Sequence, residues 1–437
     1  MTISLQQSLF ESVTLPEITP RDKAATGTSG TFGDNMKLPI HRWFRYSAGF
    51  SATWVKEVIR ESSARAVLDP FMGSGTTCVV ADELEIMSYG IESHPFVYRL
   101  AKGKLSWAES ITAFQQTIAE IEDRVVRMRS KSLPEIPALL GKCYSSDALV
   151  ELFKIREVYS KLAPALPEEL NSLVFLAINA ILRPSSHVGT AQWQYVLPNK
   201  RKAKVSTPAK ALTVQALMMV NDMRHMQLAA KSSRATLIQG DARTLQGIPD
   251  KTIDLVVTSP PYANNYDYAD ATRLEMTFWG EIDSWGDLHE TVRKYLIRSS
   301  SQHASKDRLE LDVLLAEPVT RPIRNELTAV CRELEKVRGT KGGNKAYHTM
   351  IAAYFADMGQ TFHALRRVTT SGCDVCLVIG DSAPYGVYAP VDKWLGELSL
   401  AAGFRCWSFE KIRDRNVKWK NRKHTIPLHE GRLWIQG

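Results

Sequence analysis

The chain has 437 residues, 44% hydrophobic and 23% charged, which fits one large globular core with sizeable insertions and excludes a mainly disordered or fibrous protein. Lys and Arg number 55 against 47 Asp and Glu, so the net charge of +8 permits a polyanionic partner without requiring one. No run of about 18 apolar residues could span a membrane, the first twenty residues lack a secretory pattern, and six scattered Cys form no disulfide framework; a cytoplasmic protein is expected.

Residues 1–35 are polar, with a Thr/Gly/Ser cluster at 25–33, and read as a flexible leader. From 36 to 104 the pattern is α/β. A strand at 64–69 runs into Pro70-Phe71-Met72-Gly73-Ser74-Gly75-Thr76-Thr77, an apolar helix follows over 78–84, and a second strand covers 87–92. Residues 105–235 are mostly helix-like and carry the basic run 199–204; they read as a large helical insertion able to contact a polyanion. Strands return at 235–239 and 252–257. Residues 281–348 are polar, charged and irregular, a second and variable insertion. A further strand is expected at 374–379, before a strongly basic tail at 411–424. Strand–turn–helix units separated by helical blocks predict a doubly wound, parallel α/β sheet built from 36–104, 236–280 and 349–437.

Glycines between a strand and a helix allow a tight turn and leave room for a ligand at the helix N-terminus. Only Gly73 and Gly75 are present, so the three-glycine dinucleotide pattern is not matched. Glu92 ends the next strand, where it can accept hydrogen bonds from a ribose diol. Thr76 and Thr77 offer hydroxyls to a carboxylate tail. A nucleoside with such a tail is S-adenosylmethionine; the plainer reading is a turn that needs Gly for its geometry alone.

Ser259-Pro260-Pro261-Tyr262 follows the apolar strand, at the end where open α/β sheets hold ligands. Consecutive prolines lock φ and remove backbone donors, leaving carbonyl acceptors. With the Ser259 hydroxyl and the Tyr262 ring, the segment suits an exocyclic amine on a flat base. Taken alone, Pro-Pro-Tyr would be read first as a rigid turn with a packed Tyr.

Together these residues resemble the S-adenosylmethionine-dependent amino-methyltransferases of DNA, which methylate N4 of cytosine or N6 of adenine. Asp69 to Thr77 is similar to their cofactor motif, including Phe71, Gly73, Ser74 and Gly75. Ser259-Pro-Pro-Tyr262 is similar to their catalytic motif, in the Ser-first form associated with N4-cytosine. Asp241-Ala242 resembles the segment that meets the cofactor adenine, and the stretch from His41 to Phe50, with Phe44, the one that closes over the methionine end. The stretch from Leu377 to Ser382 resembles a late core strand. The cofactor motif precedes the catalytic one here, whereas many members with the Asp-Pro-Phe form carry the reverse order.

The resemblance implies a Rossmann-like methyltransferase sheet, direct in-line transfer onto a flipped base in double-stranded DNA, and a cognate restriction endonuclease acting on the same site. No Pro-Cys nucleophile is present, no metal site is expected, and Cys373-x-x-Cys376 reads as structural. Lys200, Arg201 and Lys202, near Trp193 and Tyr195, and Arg413, Arg415, Lys418 and Lys420, near Trp419, could track phosphates; a solvated charged face is the alternative for each run. Adenine specificity, an RNA substrate and a catalytically idle binding subunit are the competing readings.

Overall fold

A computed structural model describes residues 32–46, 49–129, 135–190, 196–264, 266–306, 309–340, 345–415 and 427–437. Among the described residues the strands are β1 (Ala66–Asp69), β2 (Met87–Glu92), β3 (Val188–Thr190), β4 (Val196–Arg201), β5 (Ala235–Gln239), β6 (Ile253–Thr258), β7 (Thr369–Gly380), β8 (Cys406–Arg415) and β9 (Leu428–Gln436). Seven form one sheet in the order β5-β2-β1-β6-β7-β9-β8, and β3 pairs with β4 as a separate hairpin. Strands β5 through β7 are parallel, whereas β9 runs antiparallel between β7 and β8. The sheet is therefore mixed, which corrects the expectation of an all-parallel one.

The central strands are apolar because both of their faces are covered. Val67, Leu255, Val257, Cys376 and Val378 pack with the helix Ala52–Glu61. Leu68, Val256, Val375 and Leu377 point the other way, toward the helix Tyr347–Val368. Cys373 and Cys376 belong to these two opposite clusters, so they cannot share a metal ion. From β1 the chain moves outward to β2 and β5, and from β6 it moves the other way to β7. Strand order thus reverses between β1 and β6, which opens a crevice at their carboxyl ends.

Residues 411–415 of the expected basic tail belong to β8, and 416–424 lie outside the described residues. Lys411 and Arg413 lie on β8, an edge strand, where charge discourages pairing with another chain. The block 105–235 is helical as expected, apart from the β3–β4 hairpin. It docks on the core through the helices Pro95–Leu105 and Glu168–Ser185, which approach so closely that a Cβ on Gly103 would lie 2.6 Å from the Ser172 carbonyl oxygen. The described residues of 281–348 are not irregular. They hold short helices and the longer Arg324–Arg338, whose Leu327, Cys331 and Leu334 lie buried at helical spacing. No helix among the described residues is long and apolar enough to cross a membrane.

Candidate active site

The crevice is built first from the turn after β1. Gly73 and Gly75 have φ of +54° and +86°, the left-handed region in which a side chain is strained. A Cβ on Gly73 would also press to 3.2 Å from the Tyr46 ring. Gly75 caps the helix Thr76–Glu83. Asp69 is fully buried; its Oδ1 accepts the Thr258 hydroxyl at 2.6 Å and the Phe71 N–H at 3.1 Å. One carboxylate therefore ties the end of β1 to the end of β6, and burial pushes its pKa up to about 6. Thr77 donates to the Val257 carbonyl at 3.1 Å. That bond turns it into the sheet, which corrects its expected role as a ligand hydroxyl, while Thr76 does line the cleft.

Glu92 occupies the end of β2, next to that turn. Its Oε2 accepts the Gly73 N–H at 2.8 Å and its Oε1 the His94 N–H at 2.7 Å. Burial outweighs these bonds and pushes the carboxyl pKa up to about 7. Asp241 and Ala242 contribute to the same cleft of about 760 Å³, counted with the solvent at its mouth. Asp241 is also held by Arg243 at 2.7 Å. From the segment 41–50, Tyr46 and Phe50 reach the cleft, whereas Phe44 is buried in the apolar cluster behind it; the expectation placed on Phe44 passes to Tyr46.

The structure adds a residue that no motif flagged. Lys104 is fully buried, and its Nζ donates to the His41 carbonyl at 3.1 Å and to Ser74 Oγ at 3.3 Å. Burial lowers its pKa to about 7. In sequence it is one more polar residue on an amphipathic helix, so its role depends on what lies beneath that helix.

At the end of β6, Ser259 and Pro261 face the cleft. Ser259 Oγ donates its proton to the Val378 carbonyl at 3.2 Å, so toward the cleft the hydroxyl is left with lone pairs and acts as an acceptor. The backbone N–H of Tyr262 donates to the Tyr268 hydroxyl at 3.2 Å, and Tyr268 lines the cleft although its sequence position gave no sign of it. The loop is fastened by the Ser382 hydroxyl on the Ala263 carbonyl and by Arg293 on Asp267 at 2.6 Å. Ser382 ends the stretch expected to resemble a late core strand; that strand is the end of β7.

Of the basic residues expected to track phosphates, Arg415 instead covers the Tyr262 ring, 5.5 Å from its centroid, and donates to the Asp381 carbonyl at 2.8 Å. Gly380 permits this approach, since a Cβ there would lie 2.5 Å from the Arg415 guanidinium. Arg413 pairs with Glu430 at 2.8 Å, and Lys202 donates to the Arg183 carbonyl at 2.5 Å. Lys200 and Arg201 are exposed. Lys418, Lys420, Trp419, Trp193 and Tyr195 lie outside the described residues. Among the described residues no group of three or more His, Cys, Asp or Glu is placed to hold a metal ion.

Comparisons with known proteins point the same way as this geometry. Residues 10–103 match the family model described as DNA methylase. The chain is 26% identical over 416 residues to the type II methyltransferase M.BsoBI of Geobacillus stearothermophilus, covering 85% of this chain and 80% of that protein. It is 23% identical to the type II methyltransferase M.AvaI of a Nostoc species, covering 87% and 82%. It is 22% identical to the type II methyltransferase M.MvaI of Kocuria varians, covering 54% and 56%. No solved structure matches. Methyltransferases of this kind take the methyl group from S-adenosylmethionine.

Proposed function

We propose that this chain, a DNA methyltransferase of the N4/N6 amino type, transfers the methyl group of S-adenosylmethionine to N4 of cytosine in double-stranded DNA. The observation that carries the reading is one cleft lined by Ser259 and Pro261 together with the glycine turn and Glu92. The residues fit the methyl donor. Glu92 keeps a second lone pair on each oxygen for a ribose diol, and Asp241 presents an acceptor to an adenine amine. The Tyr46 ring stands over Gly73, where the methionine end would lie. Bound there, S-adenosylmethionine would supply an activated methyl group on a sulfonium centre.

The protein's own residues supply the rest. A cytosine amine is a poor nucleophile because its lone pair is delocalised into the ring. Ser259 Oγ and the Pro260 carbonyl would accept its two N–H bonds, favouring a pyramidal nitrogen with an exposed lone pair. Positioning and fixed dipoles provide the rate without a covalent intermediate. Within a duplex that amine is out of reach, so the base must be extruded into the cleft. Arg415 covers one face of the Tyr262 ring, and Tyr262 itself lies behind the cleft wall that Ser259, Pro261 and Tyr268 line. The Ser-first motif favours cytosine over adenine. In this reading the 105–235 block, with Lys200 and Arg201 exposed, meets the duplex, and the enzyme is the cytoplasmic modification half of a restriction–modification pair.

The test is transfer from labelled S-adenosylmethionine to duplex DNA, followed by digestion and mass spectrometry of the nucleosides. N4-methylcytosine is expected. N6-methyladenine would overturn the base assignment alone, and labelling of RNA but not DNA would overturn the substrate.

A further inference from the structure

The stretch Arg293 to Arg298 lies inside the block read from sequence as variable, yet it places Tyr295, Leu296 and Ile297 on the cleft wall. Both of its ends are fastened by guanidinium–carboxylate pairs, one buried and one half-buried. At one end Arg293, 1% exposed, grips Asp267 through Nε at 3.1 Å and Nη2 at 2.6 Å. Asp267 stands in the loop of Tyr262 and Tyr268, and the Trp285 ring covers the Arg293 guanidinium at 4.2 Å. At the other end Arg298 bonds Asp357 through its backbone N–H at 2.9 Å, Nε at 3.0 Å and Nη2 at 2.6 Å. Fully buried Asp357 also accepts from Arg243 at 3.3 Å, and Arg243 in turn holds Asp241. The stretch therefore bridges the catalytic loop and the Asp241 loop. Because desolvation offsets most of the attraction in such pairs, their main effect is a fixed position and not added stability.

We infer that Arg293 to Arg298 is a strap forming the outer wall of the cofactor cleft, and that Tyr295 presents its ring to the adenosine half of S-adenosylmethionine. This rests on the cofactor reading above. Tyr295 shares its cavity with Glu92, Asp241 and Ala242, the residues suited to the ribose and the adenine amine. Ile297 belongs to the same apolar cluster as Ile91, which precedes Glu92 on β2. Leu296 and Ile297 are buried while Tyr295 remains 45% exposed on a clamped backbone, with Lys294 Nζ 5.2 Å from its ring centroid. A surface held in place in this way binds without first being ordered. Tyr295 thus joins the cofactor site, although its sequence neighbourhood read only as a variable insertion.

The experiment is equilibrium binding of S-adenosylmethionine to the full chain without DNA, by calorimetry, for wild type, Tyr295→Ala, Tyr295→Phe and Arg298→Lys. Tyr295→Ala is expected to weaken binding about three- to tenfold with an unchanged circular dichroism spectrum. Tyr295→Phe should stay within about twofold of wild type. Arg298→Lys keeps the charge but loses the fork, and should also weaken binding. Tyr295→Ala binding as tightly as wild type would overturn the inference. So would an unchanged affinity joined to a raised KM for duplex DNA, which would move the ring to the target side. A wild-type protein that binds no S-adenosylmethionine would instead sink the cofactor reading and the strap with it.

Discussion

Ser259 shows how much a single hydrogen bond can decide. With its proton on the Val378 carbonyl, the hydroxyl presents lone pairs suited to the amine of the proposed substrate. Ser259→Ala is expected to lower kcat by about 10²-fold or more while the affinity for S-adenosylmethionine stays at the wild-type value. Glu92 sets a pH dependence. Burial raises its pKa to about 7, and the ionised form is the better acceptor for a ribose diol. Cofactor affinity should therefore fall as pH drops through about 7, and Glu92→Gln should bind weakly with a flat pH profile, both read by calorimetry across pH 5.5–8.5. Asp69 is a different case. Because it is fully buried and joins β1 to β6, Asp69→Ala leaves the Thr258 hydroxyl without its partner and should cost roughly 1–3 kcal/mol in urea denaturation, besides abolishing transfer.

At the scale of elements, the strands that build the crevice were legible because each is a short apolar run ending in a turn. Expected bounds of 64–69 and 252–257 became Ala66–Asp69 and Ile253–Thr258, and those of β2 and β5 were unchanged. β8 was not legible. As an edge strand it exposes Lys411 and Arg413, and its charge resembles that of a solvated tail. Helix Arg324–Arg338 was missed although its buried positions follow helical spacing, because high overall charge masked a narrow apolar stripe. The contact between Pro95–Leu105 and Glu168–Ser185 depends on Gly103. Gly103→Val should drive its side chain into the Ser172 carbonyl and Leu176, destabilising the fold by about 1–3 kcal/mol in thermal or urea unfolding.

Across the whole molecule, an excess of basic residues fits a polyanionic partner, but the fold spends part of it internally. Arg183 is paired with Glu275, Arg293 with Asp267, Arg298 with Asp357, and Arg413 with Glu430. Lys200 and Arg201, exposed on the β3–β4 hairpin, are better placed to meet phosphates. Reversing both to Glu is expected to weaken binding to all DNA sequences alike and to reduce the salt slope of log K by about two, measured by fluorescence anisotropy from 50 to 300 mM salt. An unchanged slope would place the DNA elsewhere on the surface.

The sequence alone determined the chemistry-bearing turns, because a left-handed glycine, a fixed proline φ and a carboxylate at a strand end act through local geometry. Asp69, Gly73, Glu92 and Ser259 could be singled out from their immediate neighbours. Tertiary structure decided which cations are free and which are clamped. It took Arg415 from an expected phosphate contact to the face of Tyr262, took Thr77 from the cleft into the sheet, and brought Tyr295 into the cleft that Glu92 lines. Such assignments turn on partners far apart in sequence, and a guanidinium reads the same in a list of residues whether it meets water, a phosphate or a buried carboxylate.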